Sequence, residues 1–253
     1  MVELTLFMPI YNSKHIGWLP LEGFIRQKEI NFEWEFIIVE ENNGNEIGKD
    51  FIMSYSDRLK DVGCVDIKYV PLNEKVPLCK KISIMSDIAD PNSRILTMGS
   101  SDCYPSIKRL ISPYNAFKDK KINWYCNIYD IMYDIKSERY ATYNVWPKGT
   151  GKACLLKYVR NIPQSMNEKN MDNTLLKTYT YQVGELVSHM DETDNWKTGF
   201  NTNGLNNISD KKVRHDTIKN YTGIFSKCEH KLEDNIPIEI LDRLKECKKY
   251  INY

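Results

Sequence analysis

The sequence lacks the features that identify several large classes of protein. No apolar run approaches the roughly 20 residues that a membrane span needs, so no spanning segment is expected. The 35 lysines and arginines nearly balance the 34 aspartates and glutamates, which leaves a formal net charge of +1. Without an excess of positive charge the protein has no broad field to attract nucleic acid, and no nucleic-acid partner is expected.

A disulfide framework and a zinc ribbon are not expected either. The seven cysteines are odd in number and form no Cys-x-x-Cys pair, which is typical of reduced thiols. The first residues include Glu3 but no basic stretch, and Pro9 interrupts the apolar run from Leu4 to Ile10. This pattern predicts a strand rather than a signal peptide, and we expect a cytoplasmic protein.

The sequence does contain an alternation of strand and helix patterns. Apolar runs predict strands over 4–8, 36–39, 65–70 and 95–98, and amphipathic spacing predicts helices over 20–27, 50–60 and 78–89. Strand, helix and strand at this spacing predict right-handed βαβ units. We therefore expect a mostly parallel α/β sheet with helices on both faces.

The pattern changes after Pro113. Aromatic and β-branched residues predict strands over 123–133 and 139–146, and apolar spacing predicts helices over 153–159, 172–181 and 237–250. The segment 195–209 is dense in Gly, Asn, Thr and Ser, which predicts an ordered loop. A chain of 253 residues fits one large domain.

One strand end presents an isolated acid. The apolar run Ile95–Met98 stops at small polar residues that lead to Asp102, and Pro105 closes the turn. Ligands of open α/β sheets lie outside the carboxyl ends of the strands, so Asp102 is well placed to hold a metal or a metal-bound phosphate. Alternatively, Asp102 caps a helix that starts near Ile107.

Two other predicted strands end in similar signals. The first is followed by Pro9-Ile10-Tyr11-Asn12, and the second ends at the acids Glu40 and Glu41 before a turn over 42–44. Together with Lys80 and Lys81 at a helix start and with Gly99-Ser100-Ser101-Asp102, these motifs resemble nucleotide-sugar glycosyltransferases of the GT-A fold. The resemblance is closest to the large family of processive and non-processive enzymes, family 2-like, that opens with a P-x-Y-N turn.

The resemblance covers roughly the first 110 residues clearly and continues more weakly to Asp172. It departs from the family at one position. The metal motif is usually Asp-x-Asp or Asp-Asp, whereas Ser100-Ser101-Asp102 keeps a single acid. Asp102 matches the last acid of the motif, which commonly contacts the cation.

The resemblance implies a Rossmann-like, mostly parallel central sheet flanked by helices, with a mixed acceptor-side region. Residues 1–253 would form one GT-A domain. Within it, 1–112 would bind the nucleotide sugar, 113–204 would form the acceptor and catalytic part, and 205–253 would form a C-terminal loop and helical tail.

The implied activity is that of a hexosyltransferase-type enzyme. It would move a sugar from a metal-bound nucleoside-diphosphate sugar, a UDP-sugar by resemblance, to a saccharide or glycan acceptor. Mn²⁺ or Mg²⁺ would offset the charge of the departing diphosphate. Asp102 is the expected protein ligand, and His189 is a second candidate because imidazole suits Mn²⁺. An ordinary polar histidine is the alternative for His189.

The resemblance also implies a set of nucleotide-sugar contacts. Backbone groups of Pro9 and Tyr11 would bracket the base, Tyr11 would stack on it, and Glu40 or Glu41 would accept a hydrogen bond from a ring N–H or a ribose hydroxyl. The remaining candidates are Asn12, Lys80, Ser100, Ser101 and Lys197. Solvated turn acids and solvated lysines are the alternatives.

Asp172 matches the second acid of the family's catalytic pair and would act as the base that deprotonates the acceptor. Alternatively, it is the N-cap of the helix that follows. Lys197 belongs to a loop, 196–203, that either closes over the diphosphate or is a surface connection. Acceptor sugars would pack on aromatic rings chosen from Trp124, Tyr125, Tyr129 and Trp146, most of which we expect in the core.

Two other functions stay open. A sugar nucleotidyltransferase shares a similar sheet, but it should carry a Gly-rich, Arg-containing loop after strand one, and Pro9-Ile10-Tyr11-Asn12 is not that loop. A catalytically silent module that binds nucleotide sugar or glycan is the other alternative, because the first acid of the metal motif is missing.

Overall fold

The computed structural model describes residues 1–127, 129–144, 152–160, 188–191, 197–203, 211–221 and 225–251. They form a mixed α/β structure in which helices flank two sheets, one of them mostly parallel. Within these stretches no helix combines the length and the apolarity that crossing a membrane requires.

The strands have the following bounds in chain order: β1 Val2–Ile10, β2 Glu33–Glu41, β3 Cys64–Leu72, β4 Ile95–Met98, β5 Cys103–Tyr104, β6 Trp124–Asn127, β7 Tyr129–Asp134, β8 Arg139–Asn144, β9 Ala153–Leu155, β10 Ser188–Asp191, β11 Phe200–Asn203 and β12 Phe225–Lys227. The α-helices are α1 Trp18–Phe24, α2 Lys49–Met53, α3 Ser56–Lys60, α4 Leu78–Ile88, α5 Ile111–Asp119, α6 Leu156–Val159, α7 Lys211–Asn220 and α8 Ile238–Glu246. Short 3₁₀ turns cover Leu232–Asp234 and Cys247–Tyr250.

The first sheet has the strand order β10-β6-β9-β4-β1-β2-β3. Strand β9 runs antiparallel to both β4 and β6, and the other neighbouring pairs are parallel. Strands β1, β2, β4 and β6 therefore end at the same edge, which we call the carboxyl edge. The candidate site residues lie at this edge.

The second sheet, with the order β12-β8-β7-β11-β5, extends from the carboxyl edge. Strand β5 follows β4 after a short turn, and β7 follows β6 almost directly. Strand β11 lies between them, antiparallel to β5 and parallel to β7. The second sheet therefore continues from the ends of two strands of the first.

Both faces of the first sheet are covered, which explains why β1 and β2 are apolar along almost their whole length. One face packs against α1, α3 and α5 through residues that include Leu21, Phe24, Leu59, Tyr114 and Phe117. The other face packs against α4 and α6 through Cys79, Ile82, Met85, Leu156 and Val159.

The second sheet also has two covered faces. One packs on Trp18 and on α8, whose buried Ile240, Leu241 and Leu244 follow the expected helical spacing. The other face contributes Met132 and Ala141, which pack on Ile218 of α7. Strand pairing and packing thus join the second sheet to the first.

Several sequence predictions were wrong in detail. Residues 153–155 form β9 rather than helix, because they fill the gap between β4 and β6. Residues 200–203 form β11 rather than loop, since both β5 and β7 pair with them. The predicted helix 50–60 is two short helices, and the predicted helix 172–181 lies outside the described residues.

Pro9 lies inside β1 rather than in a loop. In β1, Phe7 accepts a hydrogen bond from the backbone N–H of Gly99 at 2.7 Å, so alternate residues face β4. The pairing of β1 with β4 ends at Phe7 and Met98, which leaves no β4 partner opposite Pro9. The missing N–H of Pro9 therefore removes no ladder hydrogen bond.

Candidate functional site

The loops that follow β1 and β4 are joined at the carboxyl edge. The Ser13 hydroxyl lies within hydrogen-bond distance of the Ser101 hydroxyl, at 2.9 Å, and of the carbonyl oxygen of Tyr11, at 3.0 Å. Ser13 and Ser101 are both buried. This connection brings the turn that contains Tyr11 and the turn that contains Asp102 into one site.

Asp102 is partly buried and is held by its neighbours. Ser100 donates its hydroxyl to the carboxylate, and the backbone carbonyl of Asp102 accepts hydrogen bonds from the N–H and the hydroxyl of Thr202, at 3.1 and 2.7 Å. The alternative of a helix cap is wrong, because α5 begins at Ile111 and Leu110 occupies its N-cap position. Asp102 is therefore an acid of the turn between β4 and β5.

The segment around Thr202 approaches this turn closely. Gly199 has no room for a side chain, because a Cβ atom there would lie 2.5 Å from the backbone nitrogen of Ser106. Thr198 accepts a hydrogen bond from the backbone N–H of Ile107 at 3.2 Å. Residues 198–202 thus pack along 102–107 and hold the Asp102 turn from one side.

Glu41, the last residue of β2, forms a buried ion pair. Its Oε1 lies 2.9 Å from Nζ of Lys81, with side-chain exposures of 3% and 5%, and it also accepts the backbone N–H of Val76 at 3.2 Å. Lys81 donates in addition to the carbonyl oxygen of Ile10 at 2.8 Å. Within the described part of the chain the buried Oε2 of Glu41 has no hydrogen-bond partner. The pair thus fixes the ends of β1 and β2 and leaves one acceptor unused.

Glu40 has a different environment. Its carboxylate accepts the backbone N–H groups of Ile47 and Gly48 at 2.8 and 3.0 Å and the Tyr69 hydroxyl at 2.9 Å. Burial and these contacts with Glu40 raise the pKa of Tyr69. The alternative of solvated turn acids is wrong for both Glu40 and Glu41, which are buried inside β2. Glu40 organises the loop after β2.

Tyr11 and Asn12 form the exposed part of the site. Tyr11 is 42% exposed, and Nζ of Lys75 lies 4.7 Å from the centre of its ring. Asn12 adopts a left-handed backbone conformation with φ of 54°, which Asn tolerates better than most residues. The exposed ring of Tyr11 and the buried acceptor of Glu41 are both close to the end of β1.

The other predicted site residues have varied positions. Lys80 is partly buried on the first turn of α4, where its neighbour Lys81 makes the contact with Glu41. Lys197 is partly buried. Burial raises the pKa of the Cys228 thiol, and the positive charge of Lys197 opposes that increase. His189 lies in β10, paired with Tyr125, but its side chain is outside the described part, as is all of Asp172.

The predicted acceptor aromatics are mostly core residues. Trp124 and Tyr125 are 1% and 2% exposed, so neither offers a face to a sugar. Tyr129 is 39% exposed and can do so. Trp146 is outside the described residues.

Two charged residues near the start of the second sheet were not expected from the sequence. Asp130 on β7 is 5% exposed and lies within 3.4 Å of the side-chain nitrogen of Asn201. Arg109 is 6% exposed and donates from Nη2 to the carbonyl oxygen of Met98. Burial lowers the pKa of Arg109, and the charge of Asp130 acts against that change. The signal for Asp130 was a charged residue that stands directly between Tyr129 and Ile131 in a segment with strand-forming residues.

The described residues fit a metal ion only in part. Among them, no group of three or more His, Cys, Asp and Glu side chains is arranged to hold one. Asp102 provides one carboxylate at the carboxyl edge. Mg²⁺ is commonly bound by one or two carboxylates together with substrate phosphates and water. The site therefore fits a cation that binds with a diphosphate, and it does not provide a complete protein cage.

Comparisons with known proteins identify similar folds. No protein-family model matches the sequence, and no curated protein matches it. Among solved structures, S. aureus TarS 1-349 in complex with UDP-GlcNAc matches 84% of this chain with a TM-score of 0.59 and 12% identity. The complex of the same TarS fragment with UDP matches 80% of this chain, also with a TM-score of 0.59 and 12% identity.

A further crystal structure of TarS 1-349 matches 70% of this chain with a TM-score of 0.52 and 13% identity. This chain covers between 55% and 61% of the length of these TarS fragments. At such low identity the comparison shows a shared fold.

Proposed function

We propose that the protein is a glycosyltransferase that moves a sugar from a UDP-sugar to a saccharide or glycan acceptor. The observation that carries this proposal is the bond between Ser13 and Ser101, because it brings Asp102 and Tyr11 together at the carboxyl edge. The fold gives further support, since TarS, with a similar fold, was crystallised with UDP and with UDP-GlcNAc.

The base would lie beside Tyr11 and Glu41. Uracil has an N–H donor at ring position N3, whereas cytosine has an acceptor there. The buried Oε2 of Glu41 has no hydrogen-bond partner among the described residues and, as a carboxylate oxygen, can only accept, so it favours uracil. Tyr11 offers an exposed ring on which the base can stack. Lys75 lies over one face of this ring, so the base would either displace Lys75 or stack on the opposite face. Backbone groups of Pro9 and Asn12 would complete this subsite.

The diphosphate would lie at the turn that contains Ser100, Ser101 and Asp102. Asp102 would hold Mn²⁺ or Mg²⁺, which when bound offsets the negative charge of the departing diphosphate. Lys80 and Lys197 are proposed as additional cationic contacts for the phosphates, and His189 as a second ligand. Glu40 would act indirectly by fixing the loop after β2.

The transfer requires an acceptor hydroxyl to lose its proton. The family resemblance makes Asp172 one candidate for the base that accepts this proton. We further propose that residues 1–253 work as one GT-A domain with the hexosyltransferase type of activity. A cytoplasmic location is supported by the seven cysteines, all of which are free and buried.

A thermal-shift screen tests the proposal directly. Nucleotides and nucleotide sugars are added with and without Mn²⁺, and a ligand that binds only the native state raises the melting temperature. We expect UDP and UDP-sugars to stabilise the protein more than CDP does, with a larger shift when Mn²⁺ is present. Absence of a shift with every nucleotide would overturn the proposal.

A catalytically silent binding module is the second candidate. It is favoured by one observation, the single carboxylate of the Ser100-Ser101-Asp102 turn. An enzyme releases free sugar slowly from a UDP-sugar with Mn²⁺, and Asp102→Asn abolishes this release. A silent module binds the nucleotide sugar but releases no sugar above the uncatalysed background.

A further inference from the structure

Asp130 lies just beyond the carboxyl edge of the first sheet. It follows Asn127, the last residue of β6, by three positions. Its side chain is on the face of the second sheet that also carries Asn201, whose amide nitrogen contacts the carboxylate and donates to the Tyr143 hydroxyl at 2.9 Å. Asp130 is thus a buried acid beside the proposed donor site.

The second sheet relates Asp130 to Asp102. Asn201 of β11 pairs with Cys103, the residue after Asp102, on one side and with Met132 of β7 on the other. Two strand spacings separate β5 from β7, which is on the order of 10 Å. Strand β11 fills the space between β5 and β7, so a sugar ring would have to lie over the face of β11 to reach both a diphosphate at Asp102 and an acceptor at Asp130.

A buried cation accompanies this acid. Arg109 uses Nη2 for the carbonyl oxygen of Met98, while its buried Nη1 has no hydrogen-bond partner among the residues described. Burial lowers the pKa of Arg109, and the charge of Asp130 opposes that decrease. A buried carboxylate is costly to keep charged without a nearby cation, and a general base must be charged to accept a proton.

We propose that Asp130 is a catalytic residue, the general base that deprotonates the acceptor hydroxyl. This inference rests on the proposed glycosyl transfer. The acceptor O–H bond breaks and its proton passes to a carboxylate oxygen of Asp130. The acceptor oxygen forms a bond to the anomeric carbon, and the bond from that carbon to the diphosphate oxygen breaks. The nucleoside diphosphate leaves with the electron pair of the broken bond. When water takes the place of the acceptor, the same step releases free sugar.

A matched control is present on the same strand. Asp134 lies four residues after Asp130 on the same face of β7, and its side chain is fully buried. It accepts hydrogen bonds from Ser137 at 2.6 Å and from Asn203 at 2.7 Å, and its Oδ2 lies 2.7 Å from Nδ1 of His215. These contacts give Asp134 a structural role, so its replacement tests the general effect of neutralising a buried acid on β7.

The experiment measures release of GlcNAc from UDP-GlcNAc, or of glucose from UDP-glucose, with Mn²⁺. The variants are Asp130→Asn, Asp130→Glu, Asp134→Asn and Asp172→Asn, and UDP affinity and melting temperature are measured for each. We expect Asp130→Asn to lower turnover about 100-fold or more, the usual contribution of a general base, while UDP affinity is retained. Asp134→Asn should lower the melting temperature and retain turnover at temperatures where it is folded.

The outcomes separate this inference from the proposed function. Wild-type protein that neither binds UDP nor releases sugar contradicts the proposed function itself. An active wild type with an equally active Asp130→Asn overturns the role of Asp130, and so does loss of turnover in Asp172→Asn alone. Asp130→Glu keeps a carboxylate but shifts it by one methylene group, so we expect this variant to fold and bind UDP with lower turnover than wild type. If Asp130→Asn fails to fold, wild-type turnover in Asp130→Glu or misfolding of both variants overturns the inference.

Discussion

Ser13 donates its hydroxyl to the hydroxyl of Ser101 at 2.9 Å, across 88 positions of the sequence. The contact is buried and joins the loop after β1 to the loop after β4. Strand pairing aligns β1 with β4 only as far as Phe7 and Met98. Beyond that point this side-chain bond helps to keep Tyr11 and Asp102 in one site.

Replacing Ser101 should therefore affect binding more than folding. Ser101→Ala removes the acceptor of the Ser13 hydroxyl, and a hydrogen bond of this kind contributes about 1 kcal/mol. We expect weaker UDP binding by calorimetry and a small loss of stability. Ser54→Ala is the control, because the exposed Ser54 hydroxyl bonds only locally to the carbonyl of Phe51. Equal UDP affinity in Ser101→Ala and wild type would contradict the role of this contact.

Lys81 should be far more important for stability than its neighbour. Lys81→Met leaves the buried carboxylate of Glu41 without its cation, and breaking a buried pair in this way costs about 3–5 kcal/mol. Urea unfolding of Lys81→Met and Lys80→Met measures the difference. Lys80 is only partly buried, so its replacement should cost much less. Similar losses in both variants would refute the role of Lys81 in the buried pair.

Asp134 should make stability depend on pH at the acid end. Burial favours its neutral form, but hydrogen bonds from Ser137 and Asn203 and the contact with His215 hold its pKa below the ordinary 3.8. The unfolded state therefore binds the proton more tightly. Asp134 stabilises the fold above pH 3.8, and this contribution is lost as the pH falls through that value towards the lower pKa of the folded state.

The measurement is the free energy of unfolding of wild type and Asp134→Asn between pH 7 and pH 3. The difference between the two should be largest at neutral pH and should shrink as the pH falls below 4. A constant difference over the whole range would show that folding leaves the pKa of Asp134 unchanged, and it would contradict this prediction.

Much of the fold could be predicted from sequence periodicity. The strand Ile95–Met98 has the predicted bounds, and α8 follows the predicted spacing of Ile240, Leu241 and Leu244. Ala153–Leu155 could not be assigned correctly, because a short apolar run fits a buried strand and a buried helix equally well. Its pairing with β4 and β6 decides the matter, and that pairing is a property of the tertiary structure.

The candidate site was less accessible to sequence reasoning. Glu40 and Glu41 follow an apolar run, but their burial depends on partners far along the chain, Tyr69 and Lys81. Helical spacing did contain one usable signal. Lys81 lies four residues before the buried Met85, so α4 turns Lys81, rather than Lys80, toward the sheet.

The most direct test of the account is calorimetric titration with UDP, with and without Mn²⁺, of wild type and Asp102→Asn. Asp119→Asn, which neutralises an exposed acid on α5, is the control. The account predicts that Mn²⁺ strengthens UDP binding to wild type and to Asp119→Asn but not to Asp102→Asn. Absence of UDP binding to wild type, or an equal Mn²⁺ effect in Asp102→Asn, would contradict it.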